Sequence, residues 1–155
     1  MGYLYHIKDE FFKKVNDDSL MSNHELGKKR PTYFTIKEQD ILWFIPLSSK
    51  VFKYEKIIER KLERYGHCDT ILIREVLGKK AAILIQNAFP TLEKYIDHIH
   101  LLDNGKPAKV VESLKEEIID NFNYLMKLKT KGVNLFFTDI DKIKEIMLDE
   151  ISISV

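Results

Sequence analysis

The stretch Ile45-Pro46-Leu47-Ser48-Ser49-Lys50 gathers side chains that could do chemistry on an anion. Two hydroxyls and an ammonium group stand side by side, and a second lysine follows at Lys53. The stretch joins a predicted strand to a predicted helix, where backbone N–H groups without helical partners also favour negative charge. The pattern therefore predicts a phosphate site. The alternative is that Ser48 or Ser49 only caps the following helix.

Other polar groups offer weaker signals. His67-Cys68-Asp69 and the pair His98 and His100 lack the repeated Cys or His spacing that is typical of zinc sites. Leu77-Gly78-Lys79-Lys80 lacks the first glycine and the Ser or Thr of a P-loop. We therefore expect no metal site and no cofactor, and the sequence does not indicate a nucleotide-hydrolysing enzyme.

The elements on the N-terminal side of the Ser-Ser pair can be predicted from hydrophobic periodicity. Pro46 should end the strand that precedes the pair, because proline cannot donate to a ladder. Residues 16 to 31 collect Asn, Asp, Ser, Gly and a Lys-Lys-Arg-Pro tetrad, which predicts a long, mobile loop. The other predicted elements are a strand over Gly2 to Ile7, a short helix over Asp9 to Val15, and a hairpin of Tyr33 to Ile36 with Ile41 to Ile45.

Directly after the pair, apolar residues with helical spacing predict a helix over Lys53 to Tyr65 that stops at Gly66. Thr70 to Leu77 and Lys80 to Asn87 predict a hairpin around Gly78. Their apolar runs are nearly continuous, so we expect this hairpin to form the core of the sheet.

The C-terminal part of the chain is predicted to be mainly helical. Ala88 to Leu102 fits a short helix running into a strand or loop, and a turn follows over Asp103 to Pro107. Val110 to Leu128 has the longest amphipathic pattern. Thr138 with Asp141 resembles a capping box for a last helix, whose buried residues should be Ile140, Ile143 and Met147. The fold class is therefore α+β: one domain over residues 1 to 155, with a small antiparallel sheet or half-barrel and packed helices.

Composition limits the classes of protein. The chain has 155 residues, 45% of them hydrophobic, which is enough for a core. It has one cysteine, Cys68, and no apparent secretion leader, so we expect a cytoplasmic protein without disulfides. The apolar runs are much shorter than the roughly 20 residues that span a bilayer, so no membrane association is expected.

The formal net charge of +1, from 25 basic and 24 acidic residues, does not by itself indicate a polyanion partner. Basic residues are nevertheless concentrated over residues 28 to 30 and 50 to 66, whereas acidic residues dominate after residue 131. A local basic surface of this kind can attract a phosphate backbone. The alternative is that the charges only solvate helix faces.

Several segments, taken in order, resemble the ribonuclease toxins of type III toxin–antitoxin systems, the ToxN, AbiQ and CptN group, and within it the CptN branch most. The resemblance covers nearly the whole chain, and Pro46-Leu47-Ser48-Ser49 is its most specific part. The other segments are Tyr3-Leu4-Tyr5-His6-Ile7 with Phe11-Phe12, Arg30-Pro31-Thr32-Tyr33-Phe34, and the helical C-terminal third.

The resemblance implies a small antiparallel β-barrel of the Kid/MazF (SH3-like) type, decorated with helices, that cleaves RNA without a metal. Its implied partners are cellular mRNA as substrate and a repetitive RNA pseudoknot as antitoxin, in a protein–RNA hetero-oligomer that serves phage defence. The family's Thr/Ser-Ser pair falls on Ser48 and Ser49, and its lysine on Lys50 or Lys53. The upstream basic residue is Lys29 or Arg30.

In the hypothetical mechanism, the serine hydroxyls donate to the phosphate oxygens while Lys50, Lys53 and Arg30 offset the growing negative charge. The general base is either a lysine with a depressed pKa or His6 on the first strand. Residues predicted to bind RNA form a larger set. They are Lys28, Lys29, Arg30, Phe34, Phe52, Tyr54, Lys56, Arg60 and Arg64.

Two other functions fit the same sequence. A noncatalytic RNA-binding module would use the basic groups without needing the serines. A structural or regulatory protein would use its amphipathic helices as docking faces. The nuclease hypothesis requires Ser48 and Ser49 to lie on the same side of the fold as Arg30 and Lys53.

Overall fold

The computed structural model describes residues 2–153. In chain order, the first elements are β1 (Leu4–Ile7), α1 (Asp9–Val15), β2 (His24–Glu25), β3 (Lys28–Lys29), β4 (Thr32–Glu38), β5 (Ile41–Ser48) and α2 (Val51–Tyr65). They are followed by β6 (Ile71–Val76), β7 (Lys79–Leu84), β8 (Phe89–Thr91), β9 (Ile96–Ile99), α3 (Glu112–Thr130) and α4 (Ile140–Ile153). Short 3-10 turns lie on either side of β8, at Ile85–Asn87 and Glu93–Tyr95.

The main sheet is antiparallel and runs in the order β6, β7, β5, β4, β1, β9, with β8 paired to the first half of β5. The predicted α+β class is therefore confirmed. Within residues 2–153 the strand pairings do not close the sheet into a barrel, and the Kid/MazF type of architecture stays a prediction.

Strand β5 is the centre of the sheet, and every one of its residues is buried. It continues through Pro46 to Ser48, so the prediction that Pro46 ends the strand is wrong. Leu47 donates its N–H to Pro31 O on the β4 side, which points the nitrogen of Pro46 to the opposite edge. On that edge Pro46 falls between Phe44, paired with β8, and Leu47, paired with β7, so no ladder bond is lost.

The core lies between this sheet and the C-terminal helices. Trp43 of β5 packs its ring against Phe122 of α3, with ring centroids 5.6 Å apart. Helix α4 buries Ile140, Ile143 and Met147, as predicted. The capping-box prediction is wrong in its capping residue: Asp139 accepts a long bond of 3.4 Å from Lys142 N–H, whereas Thr138 Oγ1 is buried without a partner among the described residues.

Two other sequence predictions need correction. The hairpin of β6 and β7 exists, but β6 is an edge strand with exposed residues and β5, not this hairpin, is the core of the sheet. The segment from 88 to 102 contains β8 and β9, and its only helical part is the 3-10 turn Glu93–Tyr95. The apolar patterns of β8 and β9 are short, and a helix and a strand are hard to tell apart over such lengths.

The predicted loop over residues 16 to 31 contains a small hairpin of its own. Strands β2 and β3 pair as His24 with Lys29 and Glu25 with Lys28. The turn residues Leu26 and Gly27 both have positive φ, 53° and 77°, as a type I′ turn requires. This β2–β3 hairpin reaches the end of β5, where the Ser-Ser pair lies.

Candidate active site

Four donor groups converge on one carboxylate at the junction of β5 and α2. Ser48 Oγ donates to Glu25 Oε2 over 2.7 Å, and Ser49 N–H donates to Oε1 over 2.8 Å. Ser49 Oγ also donates to Oε1, and Arg30 Nη1 lies 2.8 Å from Oε2. We call Ser48, Ser49 and Arg30 the anion site, because its donors surround a negative group.

Arg30 is held in place independently of Glu25. Its Nη1 donates to Leu47 O over 2.9 Å, and its Nε donates to Ser22 O over 2.9 Å. The guanidinium is therefore tied to the end of β5 as well as to the carboxylate. Of the two upstream candidates, Arg30 adjoins the serines, whereas Lys29 pairs with Asp97 at 2.7 Å.

The beginning of α2 favours negative charge at the same point. The N-cap residue of α2 is Lys50, no side chain caps the helix in the usual way, and the first turn has no acidic residue. Ser48 Oγ accepts a bond from Lys50 N–H over 3.1 Å while it donates to Glu25. Neither serine is the N-cap residue, so the alternative that they only cap α2 does not hold. Glu25 supplies the negative charge that a helix N-terminus attracts.

The electrostatics of Glu25 follow from these contacts. Burial by itself would raise the pKa of Glu25, but the hydrogen bonds from Ser48 and Ser49 and the charge of Arg30 outweigh it and lower the pKa to about 2. Glu25 is therefore ionised throughout the physiological range of pH.

Beside the anion site, helix α2 exposes basic and aromatic side chains. Phe52 is 73% exposed, and Lys56 Nζ lies 4.6 Å from the centre of its ring. Lys53 Nζ lies 5.2 Å from the ring of Tyr54. Lys50, Arg60 and Arg64 are exposed, as is Lys28 on the β2–β3 hairpin.

The structure places the other two predicted aromatic contacts differently. Tyr54 is buried in a small cluster with Ile71, Ala82 and Leu84, and burial raises the pKa of its hydroxyl. Phe34 is half-buried and packs edge-on against Tyr5. Phe52 is the one of the three predicted rings that is open to solvent.

His6 belongs to a separate group, the histidine cluster of His6, His98 and His100. Its Nε2 lies 2.7 Å from His100 Nδ1, and its ring stacks on His98 with a centroid distance of 4.7 Å. His6 is 7% exposed. Its burial, followed by the neighbouring histidines, lowers its pKa to about 4, so it is neutral near pH 7.

Across the described part of the chain, no group of three or more His, Cys, Asp or Glu side chains is arranged to hold a metal ion. No helix within residues 2–153 is both long and apolar enough to cross a membrane.

Glu25 is the site residue that sequence reasoning missed. Its only local signal is the position of Leu26-Gly27, because a turn there would place residues 25 and 28 opposite each other. An isolated acid in a polar loop otherwise indicates nothing, and its partners Ser48 and Ser49 lie 23 and 24 positions away.

Comparison with solved structures shows which proteins have a similar fold. AbiQ, a lactococcal anti-phage endoribonuclease of the type III toxin–antitoxin system, matches with a TM-score of 0.66 and 13% identity, over 98% of this chain and 96% of that one. The chain has the fold of AbiQ. No protein-family model and no curated protein sequence matches it.

A second structure with this fold comes from work on selective toxin inhibition by a non-coding RNA pseudoknot in bacterial type III systems. It matches with a TM-score of 0.67 and 15% identity, over 96% of each chain. The AbiQ-like fold therefore extends over nearly the whole chain, and the likeness to type III toxins that the sequence indicated is present in the structure.

Proposed function

We propose that this chain is a metal-independent endoribonuclease toxin of a type III toxin–antitoxin system. The convergence of Ser48, Ser49 and Arg30 on one carboxylate carries the proposal, because the same donors suit the two non-bridging oxygens of a phosphodiester. The AbiQ-like fold supports it.

The reaction uses the nucleophile of the RNA itself. The 2′-oxygen attacks the adjacent phosphorus and loses its proton to a base, while the P–O5′ bond breaks and the 5′-oxygen takes up a proton. The products are a 2′,3′-cyclic phosphate and a 5′-hydroxyl. The serine donors and Arg30 stabilise the charge that builds on the phosphorane oxygens.

The proton-transfer roles belong to groups beside the anion site. Lys50 and Lys53 are exposed at the start of α2, within the same segment as the serines, and are our candidates for these roles. His6 stays a second candidate for the base; its burial, followed by the neighbouring histidines, keeps its pKa low.

Inhibition would come from a folded RNA that covers the basic face of α2 and fills the anion site. We propose a repetitive RNA pseudoknot as this antitoxin, in a protein–RNA hetero-oligomer in the cytoplasm, with cellular mRNA as the substrate. The basic residues of α2 and Lys28 would bind its phosphates.

The test is cleavage of cellular RNA in excess EDTA, with the cut ends examined for 2′,3′-cyclic phosphate. Ser49→Ala should reduce the cleavage rate about a hundredfold, the usual effect of removing one donor to a developing oxyanion. Ser113→Ala, at an exposed position on α3, is the matched control and should cleave normally.

Each outcome separates the candidate functions. Intact RNA with every variant, together with tight RNA binding, would indicate a noncatalytic RNA-binding module. Neither cleavage nor binding would indicate a structural or regulatory protein. Cleavage that EDTA abolishes would remove the metal-independent mechanism.

A further inference from the structure

The Glu25 carboxylate fills the place where the proposed reaction needs a phosphate, with all four donors of the anion site directed to it. A phosphodiester cannot share these donors with a carboxylate, because two negative charges in one partly buried site repel each other.

We propose that Glu25 is an internal substitute for the RNA phosphate, and that RNA enters the anion site by displacing the Glu25 carboxylate together with the tip of the β2–β3 hairpin. This inference rests on the proposed function for the identity of the ligand. It adds a residue that sets the affinity for substrate and a segment that has to move.

The contacts of Glu25 fit a substitute for the RNA phosphate better than they fit a general base. A base that abstracts the 2′-proton needs a free lone pair pointing at the substrate. Both oxygens of Glu25 instead accept two bonds each, from the groups expected to bind the phosphate oxygens. The low pKa of the carboxyl agrees with this, since so weak a base takes a proton poorly near neutral pH.

Few interactions besides those of the anion site hold the tip of the β2–β3 hairpin, residues 25 to 28, in place. Its strands have two residues each, and an isolated two-stranded hairpin is only marginally stable in water. At the turn, Leu26 is 82% exposed and has a positive φ, which is unfavourable for a residue with a Cβ. Outside the anion site, the tip is tied by the exposed pair of His24 with Asp9 and by Lys29 with Asp97.

Arg30 would remain in the anion site when the tip moves. Its bonds to Leu47 O and Ser22 O do not depend on Glu25. Displacement therefore exchanges one anion for another on fixed donors and leaves no buried charge without a partner, which keeps the cost of opening low.

The test uses Glu25→Gln, which keeps the shape of the side chain and removes its charge. The probe is random-sequence single-stranded DNA, which has the phosphodiester but no 2′-hydroxyl and so cannot be cut by the proposed reaction. Fluorescence anisotropy should show about tenfold tighter binding, because an amide competes less well than a carboxylate for Arg30 and the serines.

The matched control is Glu55→Gln, which removes the same charge from helix α2 without touching the anion site. Its affinity for DNA should change less than twofold, as expected for a partly exposed charge in screening salt. Equal gains in both variants would mean that net charge alone sets affinity and would overturn the proposal. No gain in Glu25→Gln would overturn it as well.

Kinetics separate a substitute from a base. With RNA that the wild type cleaves, Glu25→Gln should lower KM and leave kcat within about twofold, because only ground-state competition is removed. A fall in kcat of a hundredfold with unchanged DNA affinity would make Glu25 a general base and sink the inference. If no protein cleaves RNA but Glu25→Gln still binds DNA more tightly, the nuclease proposal fails and this one stands.

Movement of the hairpin can be measured without changing Glu25, which covers the case that Glu25→Gln does not fold. Spin labels on Leu26→Cys and Glu63→Cys, in a Cys68→Ser background, report the distance from the hairpin tip to α2. Saturating DNA should add a population at longer distance. An unchanged distance distribution would overturn the displacement.

Discussion

The anion site and the histidine cluster both bury polar side chains, yet they satisfy them very differently. In the first, one carboxylate accepts bonds from four donor groups. In the second, His6 makes one ring-to-ring bond to His100, and its Nδ1 is buried with no partner among the described residues.

The two regions therefore favour different charge states of their buried groups. The donors of the anion site lower the pKa of Glu25 and hold it charged, whereas burial and neighbouring histidines lower the pKa of His6 and hold it neutral. The first region therefore stabilises a negative group, and the second disfavours an added positive charge.

The largest expected effect comes from Arg30→Ala. It leaves the Glu25 carboxylate, whose side chain is only 11% exposed, without its charged partner. Breaking a buried ion pair typically costs about 3 kcal/mol or more in the free energy of unfolding. Urea unfolding at pH 7 measures this cost. The double variant Arg30→Ala with Glu25→Gln should regain a large part of it; equal loss in both would mean that the pair is not coupled.

Acid should lower the free energy of unfolding in two separate pH windows, one for each region. The pKa of His6 is about 4 in the folded chain against an ordinary 6.5, so the unfolded chain binds the extra proton and stability falls as the pH drops from 6.5 to 4. For Glu25, with a pKa of about 2 against 4.5, stability falls as the pH drops from 4.5 to 2.

We expect each window to cost about 2 kcal/mol in the free energy of unfolding, after allowing for solvent access to both groups. Urea titrations at a series of pH values measure it. His6→Phe should flatten the upper window and Glu25→Gln the lower one. A His6→Phe protein that keeps the wild-type slope between pH 6.5 and 4.5 would show that another group titrates there.

The smallest effect tests whether RNA lies beside the anion site. Phe52→Ala should weaken binding of single-stranded RNA about tenfold, since stacking of a base on an exposed ring contributes roughly 1 to 3 kcal/mol. Tyr124→Ala is the matched control, because Tyr124 is an exposed aromatic residue on α3 and not on α2. Equal losses of RNA affinity in the two variants would mean that RNA does not bind specifically beside Phe52.

Much of the fold followed from local patterns. Helix α1 has the predicted bounds, α2 and α3 are close to theirs, and α4 has the predicted buried residues, because amphipathic spacing and a terminal glycine such as Gly66 act within one segment. Pro46 was misjudged because its effect depends on which edge its nitrogen faces, and only the pairing of β5 with β7 and β8 settles that.

The sequence alone determined that two hydroxyls, a strand end and a helix start coincide at Ser48 and Ser49, because these residues are neighbours in the chain. The tertiary structure alone decided what faces them. Glu25 reaches the serines across 23 and 24 positions, and His6 reaches His100 across 94, through strand register and a small hairpin. Such contacts depend on the packing of the whole sheet, so no local pattern encodes them.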